Sequence, residues 1–270
     1  MRPEGSLARP GSQQVYALRH NGPAIGVECW ASILGDCGEG QSGEHYISDG
    51  IFDGATVTAV GLPWCRDKPR TIGMRRAVAN ILCGRHNWAL SPFDAEAAKL
   101  SAFLRENIHK QPLDAATVRL NGVLIEKWAL KTFLNLGYIR GLSRVQSNRI
   151  DPRTDLVRYL YRNEPVADGV GLYFITGAVS SDMNTTTGLW WNSIDNRDLN
   201  EPTTKVFGMT FTFFGVRFVV NIAPIRAEEK IAAMGRVNDF DFSTASVSYR
   251  PPGFTMRSGT AGEKRIEFKW

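Results

Sequence analysis

Four side chains suited to a soft metal ion, in two widely separated pairs, constrain this chain more than any other feature. In "LCGRHN", Cys83 and His86 lie two residues apart, so both can reach one tetrahedral zinc from a single turn. Cys29 and Cys37 form a looser pair, whose spacer exceeds the usual two to four residues. Together the four supply the thiolate and imidazole ligands of a closed structural Zn²⁺ site. The opposing reading makes each cysteine a small buried hydrophobe, the usual fate of a free cysteine. Cys65, in "GLPWCRDKP", is the leftover and can take the place of Cys29, so the first ligand is open between them.

Four cysteines in a chain of 270 residues that opens on a polar segment do not make a disulfide framework, and a reducing, cytoplasmic setting is expected. Hydrophobic residues make up 43% and charged residues 22%, ordinary for a globular protein. No uninterrupted apolar run is long enough to span a membrane, and the most apolar stretch, 206–223, alternates as strands do. The net charge of +5 is compatible with a polyanionic partner without demanding one.

The expected fold class is α+β: a zinc-stabilised N-terminal module, then helices, then a β-rich C-terminal domain. The boundaries fall at 1–25 for a loose tail, 26–110 for the module, 111–165 for a helical connection and 166–270 for the β-rich domain. "ATVTAVGLPW" (55–64) reads as a strand or hairpin arm, and "MRRAVANILC" (74–83) as a short helix or strand ending at Cys83. Over 91–107 a helix is expected, with Ser91 and Pro92 at its start, Asp94 and Glu96 at the positive end of its dipole, and Phe93, Ala97, Leu100 and Leu104 on one face. A second helix over 124–139 places Ile125, Trp128, Ala129, Phe133 and Leu136 on one side, closed by Gly137. Phe214-Gly215 suits a turn between strands at 206–213 and 216–222. The last stretch, 249–270, is low in core residues and reads as irregular.

Between the two ligand pairs lies "CGEGQSGEHYISDGIF" (37–52), with the acid–histidine pair Glu44-His45 among glycines and serines. The order of Cys29 and Cys37, "SGEHYIS" and "LCGRHN" resembles the HNH, or ββα-metal, nuclease family in its zinc-bearing form. It is similar, too, to the plan of the phage enzymes that resolve branched DNA. The resemblance covers about residues 26–105. It implies His45 as general base, Glu44 and Asn87 as ligands of a catalytic Mg²⁺ or Mn²⁺, and Cys29, Cys37, Cys83 and His86 as zinc ligands. It implies DNA as the nucleic-acid partner, with no membrane involved. The chain departs from the family in its long gap after His45, which calls for an inserted loop or hairpin over 50–80. It also has His86 where many members have a fourth cysteine, and Asn87 where the most familiar pattern has histidine.

The chemistry suits these residue types: hydrolysing a phosphodiester needs a water deprotonated near neutral pH and a hard cation against the developing charge. Plainer roles stand beside these. His45 can cap a turn, Asn87 can satisfy a turn backbone, and Arg85 can be a solvated cation instead of a phosphate contact. His20 and His109 sit in polar contexts as surface residues, and Trp190-Trp191 puts one ring in the core even if the other stacks on bases. At the level of function the alternative is a catalytically inactive, zinc-stabilised nucleic-acid or protein-binding module on a treble-clef scaffold. The β-rich C-terminal domain would then recognise substrate, a protein partner or a second copy of the chain.

Overall fold

The segment expected as the second helix is the axis of the protein. In a computed structural model it runs Gly122–Tyr138, and Asn121 caps it by accepting a hydrogen bond from the Leu124 amide at 3.1 Å. The structure describes residues 28–52, 54–59, 65, 68–109, 115–139, 150–176, 189–195, 206–213, 216–224, 236–237, 240–241, 246–256 and 262–270. The expectations for the 1–25 tail, His20 and the Phe214-Gly215 turn lie outside them.

In chain order, β1 (Gln41–His45) pairs antiparallel with β4 (Val78–Cys83), and between them β2 (Thr56–Ala59) and β3 (Arg70–Gly73) form the hairpin expected over 50–80. Then come α1 (Gly84–Trp88), α2 (Ser91–His109), β5 (Ala116–Asn121), the axial helix α3 (Gly122–Tyr138) and α4 (Thr154–Arg162). The β-rich half holds β6 (Gly171–Thr176), β7 (Leu189–Asp195), β8 (Val206–Phe213), β9 (Val216–Asn221), the short β10 (Arg236–Val237) and β11 (Phe240–Asp241), β12 (Ser246–Tyr249), β13 (Gly253–Met256) and β14 (Lys264–Lys269). Five of these make an antiparallel sheet in the order β12-β6-β9-β8-β7, which includes the expected pairing of β8 with β9. The protein is thus of mixed α and β class, with several sheets.

Two expectations are corrected. The C-terminal stretch is not irregular: β13 and β14 pair with each other, and β14 runs parallel to β5 in register Lys264↔Ala116 to Lys269↔Asn121. The final residue, Trp270, packs so closely on the first turn of α3 that a Cβ at Gly122 would lie 2.6 Å from its ring, which only glycine avoids. Nor does α3 bury a single face: Ile125, Trp128 and Phe133 are buried, but so are Glu126, Lys127, Lys131, Thr132 and Asn135. The reason is that α2 covers one side of α3 while β5, β14, β6 and β9 cover others. The expected α2 core positions Phe93, Ala97, Leu100 and Leu104 are all buried.

Each buried polar group on α3 has a partner, as burial requires. Lys131 is fully buried and donates to Glu44 of β1 at 2.7 Å and to both Asp94 oxygens of α2 at 2.7 and 2.8 Å. Ser48 bridges to Asp94 and accepts from the Trp128 indole at 2.9 Å. Asn135 donates to Glu44 at 3.0 Å and accepts from the Trp30 indole at 3.0 Å. Further along, Glu126 receives the Arg250 guanidinium at 2.7 and 2.8 Å, the Tyr159 hydroxyl and the Leu172 amide. Replacing Lys131 by Met strands the Glu44 carboxylate in the interior. In chemical denaturation Lys131→Met is expected to cost about 3–5 kcal/mol, and adding Glu44→Gln to recover much of that loss. A single variant as stable as the wild type would refute the role given to this pair.

Candidate metal centre and the strand beside it

The metal-ligand loop is built by backbone before any metal enters. After Cys29 the chain makes a 3-10 turn at Ser32–Leu34 and reverses at Gly35, whose φ of 76° is left-handed. The Trp30 amide bonds to the Ile81 carbonyl at 3.0 Å, which ties this turn to β4. The segment Cys37 to Gly40 then folds over the start of α1, with the Gly84 amide bonding to Gly40 at 3.0 Å. Contact there is so close that a Cβ at Gly84 would sit 2.9 Å from Glu39 Cβ and 3.1 Å from its carbonyl oxygen, so glycine is needed.

This folding brings Cys29, Cys37, Cys83 and His86 together, with their ligand atoms all within 4.8 Å of one another. His86 Nδ1 lies 3.1 Å from Cys83 Sγ, 3.4 Å from Cys29 Sγ and 3.7 Å from Cys37 Sγ. A tetrahedral zinc with Zn–S near 2.3 Å and Zn–N near 2.1 Å requires N···S edges of about 3.6 Å, so the donor set fits. Cys65 is buried and is not part of this group, whereas Cys29 is. Cys29, Cys83 and His86 are buried, while Cys37 faces solvent.

Burial pushes the Cys29 thiol up to about 12, and burial also raises that of Cys37. Cys83 goes the other way: burial resists its ionisation, but hydrogen bonds from the His86 and Gly38 backbone and from the two other thiols outweigh it. Three thiolates in one pocket repel each other unless a metal is bound, so metal uptake must release protons. Burial lowers the His86 pKa, against the opposing pull of Asp36, and so favours the neutral imidazole that can ligate through Nδ1.

Asp36 was not anticipated from the sequence. Its Oδ1 lies 3.0 Å from His86 Nε2, the carboxylate–histidine arrangement that fixes the tautomer of a ligating imidazole. Asp36 also holds Arg85 at 3.3 Å, which gives that cation a structural partner. Tyr161 of α4 donates to the His86 carbonyl at 3.2 Å and sets its ring edge-on to the imidazole at 4.9 Å. Asp36, next to a ligand in a glycine-rich loop, left a faint signal in the sequence; Tyr161 left none.

Glu44, His45 and Asn87 are placed differently from one another. Glu44 points into the interior, where Lys131 and Asn135 hold its carboxylate. Its pKa is raised by burial against the lowering effect of Lys131. His45, the next residue on β1, faces the other way, as alternation along a strand demands. Its Nε2 is covered from solvent and makes no hydrogen bond to any described residue. Asn87 of α1 donates to Ser42 Oγ at 2.7 Å and to the Gly43 carbonyl at 3.3 Å, which clamps α1 onto the strand that carries His45. The arrangement brings the four expected zinc-binding residues together and sets Asn87 on β1, but sends the Glu44 carboxylate to Lys131.

The fold and site therefore define a mixed α/β protein with a Cys₃His group that can bind a metal such as zinc. No protein-family model, curated protein or solved structure matches the chain. Among the described residues no helix is long and apolar enough to cross a membrane.

Asp36→Ala is expected to weaken zinc binding by about 10–100-fold in a chelator competition, without changing the stoichiometry. An unchanged affinity would deny Asp36 its orienting role. Because thiol protons are displaced, zinc affinity should fall as pH is lowered from about 8 to about 6, and proton release on titration with zinc measures this directly.

Proposed function

We propose that the protein is a phosphodiester hydrolase acting on DNA, with His45 as general base and a structural zinc on Cys29, Cys37, Cys83 and His86. The observation that carries this reading is the covered, unbonded Nε2 of His45. A buried polar atom without a partner is costly, and such atoms are found where a substrate or its water completes the site. Nε2 has no hydrogen-bond partner to give up, so a water admitted beside it with the substrate can pass it a proton, and the clamp from Asn87 keeps β1 from shifting. The zinc ligands hold β4 and α1 in place behind that strand, a structural task for the metal.

Mg²⁺ or Mn²⁺, when bound, supplies positive charge against the negative charge developing on the phosphate. Asn87 offers an oxygen on this side of β1. Glu44 does not fit that role in this arrangement, because Lys131 and Asn135 occupy its carboxylate. That same observation favours a second reading, a zinc-stabilised nucleic-acid-binding module without catalysis.

Incubation of the zinc-loaded protein with supercoiled plasmid, and separately with circular single-stranded DNA, in Mg²⁺ or Mn²⁺ separates the two. The hydrolase reading expects cleavage of at least one of these by the wild type and a loss of about 10²-fold or more in His45→Ala. No cleavage of either DNA by the wild type, or equal cleavage by both proteins, rules it out.

A further inference from the structure

We propose that the protein takes its DNA as a single strand, with Trp88 stacking on an unpaired base and Arg75, Arg76 and Arg85 holding the backbone. This specifies the substrate form and rests on the nucleic-acid reading above. Trp88 closes α1 and is 79% exposed, far more than the other exposed large hydrophobics Ile33 at 52% and Val78 at 37%. A tryptophan carries a large flat apolar ring that can stack on another ring. It stacks on no ring of a described residue.

Its surroundings say what it is for. The residue before it, Asn87, is bonded to Ser42 and Gly43, so the helix that ends at Trp88 is held against the strand that bears His45. On β4, Val78 pairs with His45, and Val78 and Asn80 lie beside the bare Gly43, all exposed. At the His45 end, Arg75 and Arg76 stand exposed in the 3-10 turn that leads into β4, and neither forms an ion pair with a described residue. At the other end is Arg85, ion-paired with Asp36 at 3.3 Å but with its side chain 59% exposed. A protein-docking patch would surround the indole with apolar side chains. Here one valine, Val78, stands among an imidazole, two amides and cations, a mixture of π-surface and positive charge that suits a strand of nucleic acid with its bases free. A duplex keeps its base faces stacked, out of reach of an indole.

Fluorescence anisotropy tests this with the zinc-loaded full chain and a fluorescein-labelled oligodeoxynucleotide, alone or annealed to its complement, without Mg²⁺ or Mn²⁺. The single strand should bind more tightly than the duplex. Trp88→Ala should weaken single-strand binding at least about fivefold, while Trp88→Phe retains most of it. Arg75→Ala with Arg76→Ala should weaken binding and flatten its salt dependence. Duplex binding as tight as single-strand binding, or a Trp88→Ala affinity equal to wild type, overturns the proposal. Since nothing is cleaved in this assay, failure here is distinct from failure of the cleavage test.

Discussion

The ammonium of Lys131, fully buried between Glu44 and Asp94, is the interaction on which the arrangement of the N-terminal half depends. A lone cation at that depth would be forced to give up its proton or unfold its surroundings, so it must be met by carboxylates. Those carboxylates come from β1 and α2, and Lys131 itself from α3. One charge cluster therefore fixes three elements that are distant in sequence. It extends through Asn135 to the Trp30 indole, the residue after the first cysteine, and so reaches the metal loop. It also decides which way β1 faces. With Glu44 turned inward to Lys131, alternation sends His45 outward.

The metal cluster performs the complementary task at the other side of the same small sheet. A two-stranded pairing such as β1 with β4 is marginal by itself. Ligands at the end of β4, in the first turn of α1 and on both sides of the loop before β1 would close it with bonds stronger than packing alone supplies. Tyr161 and Arg162 of α4 lock the outside of this unit: Arg162 donates to the Leu34 carbonyl at 2.9 Å and Tyr161 to the His86 carbonyl. Zinc, if resident, is thus held within the body of the fold, with Cys37 as its one solvent-facing ligand.

What the sequence showed, and what it hid, follows from the range of each interaction. The Cys83–His86 pair was legible because both ligands belong to one turn, and α2 because its start signals and apolar period are local. The pairing of β8 with β9 was legible for the same reason. The β5–β14 pairing was not, since Ala116 and Lys264 carry no mark of each other and a parallel partner can lie at any distance. The low apolar content of β14 disguised a strand whose alternate residues Lys264, Ile266 and Phe268 are buried. The burial of Glu126, Lys127 and Lys131 left no sign in the apolar period of α3, because pattern reasoning has no means of seeing counter-charges from other elements. The same blindness made Glu44 and His45 look like one functional pair, when the structure puts them on opposite faces of a strand. Cys29 could be told from Cys65 only once the chain was folded.

The most direct measurement is zinc K-edge X-ray absorption on protein purified without chelator. The account predicts one zinc per chain bound by three sulfurs near 2.3 Å and one nitrogen near 2.1 Å. Protein free of zinc, or zinc held by oxygen ligands, would contradict it.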